Sequence, residues 1–93
     1  MKRTVVIVFH MKGCPACEAH LPRMRRVQQH FPKVDVHYLD AEAQSNAALA
    51  TRLGLKATPT TYVLRQPSGS VRWEGEMSEQ DIATALQLAQ RYQ

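Results

Sequence analysis

Thr4 to His10 constrains this chain more than any other stretch. Thr4-Val5-Val6-Ile7-Val8-Phe9-His10 is β-branched and almost wholly apolar, which suits a central strand covered on both faces. A helix is expected from Pro15, because proline is favoured in the first helical turn, where its missing N–H would have no partner. Cys17, Leu21, Met24, Val27 and Phe31 then recur at helical spacing as one core-facing stripe. Pro22 falls inside that stripe, and the period continues on both sides of it, so a kink is expected rather than an end. Beyond Pro32-Lys33, Val34, Val36 and Tyr38 alternate with Asp35, His37 and Leu39, the pattern of a second, less buried strand. Strand, helix and strand in this order make a βαβ unit, with parallel strands and a right-handed crossover.

The rest of the chain extends that unit. Ser45 is expected to cap a short helix containing Ala47, Ala48, Leu49, Arg52 and Leu53, with Gly54 as its stop. Thr60 to Leu64 is a third strand. Gln66-Pro67-Ser68-Gly69-Ser70 has turn chemistry, and Val71 to Glu74 returns as a fourth strand, forming a hairpin. Ser78 followed by Asp81 reads as a capping-box variant, and the last helix then buries Ile82, Ala85, Leu86 and Ala89. The expected fold is α/β, in the order βαβαββα, with a four-stranded mixed sheet flanked by helices on both faces. Ninety-three residues fit a single domain over 1–93 with one modest core.

Composition narrows the function classes. The formal charge is +4, and Arg23, Arg25, Arg26 and Lys33 lie close together. No aromatic side chain is interleaved to stack on bases, so a solvated helix face is expected there and nucleic acid is not an expected partner. Lys2 and Arg3 before Thr4 to Phe9 mimic the start of a signal peptide, but the apolar run is short and His10 and Lys12 end it. No stretch is long enough to cross a membrane. The expectation is a soluble cytoplasmic protein with no membrane partner.

The chemistry sits in Cys14-Pro15-Ala16-Cys17, which holds the chain's 2 cysteines. Two cysteines so close cannot build a secreted-type disulfide framework. Beside a strand–helix junction, a CxxC reads as a redox pair. The same residues also belong to His10-x3-Cys14-x2-Cys17-x2-His20, four side chains of types that suit zinc. Against a metal, His20 lies on a helix that already uses Cys17 and Leu21 for its core stripe. It is read as a surface residue, as are His30 and His37, and no metal is expected. Tyr62 and Trp73 are assigned to the sheet.

Cys14 stands where a helix begins, so its sulfur can face unpaired backbone N–H groups and the positive end of the helix dipole, which favour thiolate over thiol. Lys12 and His10 are placed to add positive charge. Cys17, one turn in and facing the core, is the resolving partner. Pro15 and Ala16 supply neither charge nor hydroxyl and leave the surface over Cys14 open to a protein-sized substrate.

The chain resembles the thioredoxin superfamily over nearly its whole length. The resemblance rests on the strand into Cys14-Pro15-Ala16-Cys17, on Pro22 five residues past the second cysteine, and on Leu53-Gly54-Leu55-Lys56-Ala57-Thr58-Pro59-Thr60. The hairpin with Gly69 at its turn and Gly75 before the last helix complete it. It implies a thiol–disulfide oxidoreductase that reduces protein disulfides through Cys14 and Cys17. It further implies a cis Thr58-Pro59 peptide against the cysteines, with Thr58 offering its backbone to an extended substrate. No dissociable cofactor is implied, the redox group being the Cys14–Cys17 disulfide itself. The implied electron source is a reductase such as thioredoxin reductase, or glutathione. Alternatives kept open are a glutaredoxin-like, glutathione-dependent reductase and a non-catalytic interaction subunit using the basic helix face. The chain departs from the family's pattern in several places. Val8 stands where thioredoxins carry a buried aspartate, Val36 where a lysine accompanies it, and Gly13 where an aromatic residue precedes the first cysteine. Gly75-Glu76 replaces the Gly-Gly pair of glutaredoxins, and the family's extra N-terminal strand and helix are absent. The family's proton relay is therefore not carried over.

Overall fold

A computed structural model describes residues 3–66 and 69–92. Four strands, β1 (Arg3–His10), β2 (Asp35–Asp40), β3 (Thr60–Gln66) and β4 (Ser70–Glu74), form one sheet in the order β2-β1-β3-β4. β1 pairs parallel with β2, Val8 opposite Tyr38, and antiparallel with β3, Val8 opposite Thr61. β3 and β4 pair antiparallel. The apolar run thus becomes a central strand, as its two-sided hydrophobicity requires.

Alternation along β1 feeds two cores. Val6 and Val8 point to one face, where Met24 and Val27 of α1 (Pro15–Gln28) and Ile82, Ala85, Leu86 and Ala89 of α3 (Glu79–Arg91) cover them. Ile7 and Phe9 point to the other face and pack with Tyr62 against Leu49, Ala50 and Leu53 of α2 (Ala47–Leu53). Phe9 and Tyr62 meet edge to face, their ring centres 5.9 Å apart. The mixed sheet with helices on both faces is the expected architecture.

The helix signals are mostly realised. α1 starts at Pro15 and runs through Pro22 to Gln28, a turn short of the end of the apolar stripe. Phe31 still packs against the core from the following turn. Gly54 ends α2 in the left-handed region at φ 71°, and the Leu55 N–H closes the last turn on Ala50 O at 2.9 Å. At the head of α3, the Ser78 hydroxyl accepts the Asp81 N–H at 3.1 Å, and the four expected residues are its buried ones.

Ser45 does not cap α2. It lies inside a single 3₁₀ turn, Gln44–Asn46, that leads into the helix. The i→i+3 bond from the Ala47 N–H to Gln44 O takes up one of the N–H groups a Ser45 hydroxyl would have served. In the expected hairpin turn, Gly69 has φ 89° and its carbonyl accepts the Arg65 N–H at 3.1 Å. Pro67 and Ser68 of that turn lie outside the described residues.

Candidate active site

β1 delivers the chain to the C-terminal end of the central strand at His10, and Met11, Lys12 and Gly13 carry it into α1. Gly13 has φ 73°, with nothing within 4 Å of where a side chain would start. The backbone conformation, not crowding, demands glycine there. Cys14 follows as the N-cap of α1, extended at φ −107°, and its sulfur accepts the Cys17 N–H at 3.1 Å. A sulfur thus fills the place usually taken by a serine or aspartate oxygen. That N–H and the helix dipole both bind an anion there better than a neutral group.

Cys14 and Cys17 are joined by a disulfide, with Cα atoms 5.2 Å apart. Cys14 is half-buried, whereas Cys17 is only 2% exposed and faces the core beneath it. An incoming sulfur therefore meets Cys14 first. Pro15 is exposed and Ala16 half-buried, so no polar side chain stands between the two cysteines.

The opposite wall comes from the segment between α2 and β3. The Thr58-Pro59 peptide is cis. Pro59 is buried, and its carbonyl accepts the Gly75 N–H at 2.7 Å. The Thr60 hydroxyl donates to Ala57 O at 2.6 Å, which ties this segment to the start of β3. The Cys14 Sγ then lies 3.6 Å from the Thr58 carbonyl oxygen and 3.7 Å from the Thr58 hydroxyl. The two groups pull in opposite directions on a reduced Cys14: the hydroxyl donates to a thiolate, while the carbonyl accepts only from a thiol. Beside them runs a groove of about 230 Å³ lined by Met11, Ala41, Leu55, Lys56, Ala57 and Thr58. Cys14, Cys17, Pro15, Ala16, Thr58 and Pro59 are thus brought together in one place.

His20 overturns one expectation. It is not a surface residue but completely buried, at 0% exposure. Spacing explains it: the buried positions of α1 are Cys17, His20, Met24 and Val27, a 3-4-3 stripe in which Leu21 is a flank. The interval of three from Cys17 and four to Met24 was the signal in the sequence. Its Nδ1 accepts the Met77 N–H at 3.2 Å and its Nε2 lies 3.0 Å from the Thr61 hydroxyl. Nδ1 has given its lone pair to a backbone N–H and the neutral ring then carries its proton on Nε2, towards Thr61, so neither nitrogen is open to a metal and the His10-Cys14-Cys17-His20 set loses a ligand.

The basic residues of α1 are engaged locally. Arg23 pairs with Glu76 at 2.9 Å, Arg26 with Glu79 at 3.5 Å, and the Arg25 guanidinium sits 5.3 Å from the centre of the Tyr38 ring. These contacts are those of a solvated helix face. His30 and His37 are exposed, Tyr62 is in the core, and Trp73 is half-buried against it.

Comparison with known proteins agrees with this geometry. The family profile of the thioredoxin-like domain matches residues 1–90. A "Disulfide bond formation protein" of Brevibacillus choshinensis is 31% identical over 83 residues, covering 89% of this chain and 70% of that protein. A "Thioredoxin 2" of Plasmodium berghei (strain Anka) is 32% identical over 66 residues, and the match takes in 70% of this chain but only 41% of the relative. Among solved structures, the short form of thioredoxin f from spinach chloroplast superposes with a TM-score of 0.80 at 26% identity, covering 96% of this chain and 78% of that one. With a disulfide at the head of α1 and a profile match that spans the sheet and all three helices, the chain is a thiol–disulfide oxidoreductase and belongs to the thioredoxin-like domain family.

Proposed function

We propose that the chain reduces disulfides in other proteins, with Cys14 as the attacking sulfur and Cys17 as the resolving one. The observation that carries this reading is the asymmetry of the pair: Cys14 caps the helix and is half-buried, while Cys17 is shut into the core. In the reduced protein the Cys14 thiolate attacks one sulfur of the substrate disulfide, and the other leaves as a thiolate and takes up a proton. Cys17 then attacks the Cys14 sulfur of the mixed disulfide and releases the second substrate thiol. Two electrons pass to the substrate, and the Cys14–Cys17 disulfide remains. No further cofactor enters this cycle.

The Thr58 carbonyl supports a place for the substrate. It lies beside the Cys14 sulfur, at the edge of the groove, where an extended segment can pair with it in β fashion. A flavoprotein reductase of the thioredoxin reductase kind, or glutathione, restores the dithiol. A reducing compartment, the cytoplasm, suits a chain whose cysteines are confined to one CxxC. The likeness to the Brevibacillus protein favours a second reading, in which electrons flow from substrate dithiols to this chain.

The test is reduction of a protein disulfide with two electron sources, NADPH plus thioredoxin reductase and glutathione. Turnover with at least one is expected. Turnover with neither, together with no Cys14 thiolate detectable below about pH 8, would refute the reading. Cys17→Ser is expected to trap a mixed disulfide through Cys14, and a trap formed only after Cys14→Ser would reverse the two roles.

A further inference from the structure

His20 is a buried titratable group that the exchange cycle above does not use. Among the described residues no aspartate, glutamate, lysine or arginine is buried, and His20 is the only buried histidine. An imidazole is stable in such a place only when both nitrogens have partners. Here the partners also fix the proton. A backbone N–H can only donate, so the Nδ1 that faces Met77 N–H is unprotonated, and Nε2–H donates to the Thr61 hydroxyl.

These two bonds join three parts of the fold: α1, β3 and the Gly75–Ser78 segment before α3. That segment is also the one that braces Pro59, through the Gly75 N–H. The contacts therefore close a ring. Cys14 faces Thr58, Pro59 holds Gly75, Met77 holds His20, and His20 stands one turn beyond Cys17 on the helix that bears Cys14. Both walls of the active site hang on this ring.

We infer that His20 is a positioning residue for disulfide exchange: its neutral imidazole closes the ring that sets Cys14 against Thr58, and a proton on Nδ1 opens the ring at Met77. The inference deepens the exchange reading and rests on it. A proton on Nδ1 would set one donor against another and place a charge in the core. The charged groups that bear on the ring are Arg23 on α1 and Glu76 in the loop, which pair with each other at 2.9 Å. Arg23 also donates to Met77 O at 3.1 Å, clamping the same segment from outside. Cys17 lies one turn away on α1, β3 presents the neutral Thr61, and α3 turns the uncharged Ile82, Ala83, Ala85, Leu86 and Ala89 to the core. Burial, and then the Arg23 charge, hold His20 below its ordinary value of 6.5, with Glu76 opposing. The unfolded chain thus binds this proton more readily than the folded one. The contribution to stability is complete above the unfolded value and is lost as pH falls from there through the lowered folded value.

Two measurements on the wild-type chain test the inference. In NMR, the His20 ring is expected as the Nε2–H tautomer, and the Met77 amide should move with the same midpoint as the ring on acidification. In kinetics, the rate of the reduced protein with a small disulfide is divided by the Cys14 thiolate fraction measured separately by ultraviolet absorbance. That ratio should fall about fivefold as the pH is lowered from neutral through the midpoint at which the Met77 amide moves, the change expected from losing one ordinary hydrogen bond. His20→Gln, whose amide can accept from Met77 and donate to Thr61 without titrating, should hold the neutral-pH ratio and abolish the acid fall. A Met77 amide that ignores the ring, a flat wild-type ratio, or an acid fall retained in His20→Gln would each overturn the inference. The Met77 titration needs no turnover, so it separates failure of the ring from failure of the exchange reading.

Discussion

Replacing Thr58 by valine isolates one contact at the reactive sulfur. Valine keeps the β-branched shape, so the backbone before Pro59 keeps its extended preference, and the Thr58 carbonyl stays in place for substrate. What disappears is the hydroxyl 3.7 Å from Cys14 Sγ. A hydrogen bond to a charged group is worth about 1.5–3 kcal/mol. This one is long and Cys14 is half-buried, so about 1 kcal/mol is the fitting magnitude. The Cys17 N–H at 3.1 Å remains as the stronger donor. Losing about 1 kcal/mol from the thiolate lowers its share roughly fivefold at a pH below the Cys14 midpoint. Each remaining thiolate becomes about twice as nucleophilic, because reactivity rises with basicity at a slope of about 0.4–0.5. The net rate with a small disulfide should therefore fall only about two- to threefold. Above the Cys14 midpoint, where the reduced form is thiolate and loses the same free energy, the reduction potential should drop by about 20 mV. Ultraviolet titration of the thiolate, stopped-flow exchange and a glutathione redox equilibrium read the three quantities. An unchanged thiolate share, or one that rises, would show that the hydroxyl does not donate to the sulfur. A potential moving to more positive values would refute the sign of the argument.

Two further outcomes test the frame around the site. Leu86→Ala empties a fully buried position in the core between the sheet and α3, so unfolding stability should fall by about 2–5 kcal/mol in a denaturant titration; a change below about 1 kcal/mol would mean that the site collapses freely. Ser78→Ala removes the α3 cap and should cost about 0.5–2 kcal/mol. Its thiolate titration should match that of wild type, since the cap lies outside the contacts of Cys14.

The parts legible in the sequence are those governed by neighbours along the chain. β1 announces itself by an unbroken apolar run, α1 by Pro15, the end of α2 by Gly54, and the buried face of α3 by its spacing. The cysteine pair has a local pattern shared by redox and zinc sites, and Thr58-Pro59, far from it in sequence, was set beside it by the resemblance to the thioredoxin superfamily. What escaped depends on partners chosen by the tertiary structure. His20 looks like a polar residue on the flank of an apolar stripe until Thr61 and Met77 N–H arrive to satisfy it. Arg23, Arg25 and Arg26 read as a charge cluster until the β4–α3 segment supplies Glu76, the head of α3 Glu79, and β2 Tyr38. Ser45 had the right chemistry for a cap, but the 3₁₀ turn gave the Ala47 N–H a backbone carbonyl instead.

The central position of β1 has a mechanical consequence. Its amides are bonded to β2 on one side and β3 on the other, so they can exchange with solvent only when the sheet itself comes apart, whereas β2 and β4 form its edges. Cys14 begins four residues after this strand ends at His10. The reactive sulfur is therefore mounted on the stem that opens last, and the Leu55–Thr58 segment across from it has no strand or helix to stiffen it. In a deuterium-exchange experiment the two walls of one active site should lie at opposite ends of the stability scale. A docking protein would then adapt the soft wall while the sulfur keeps its place.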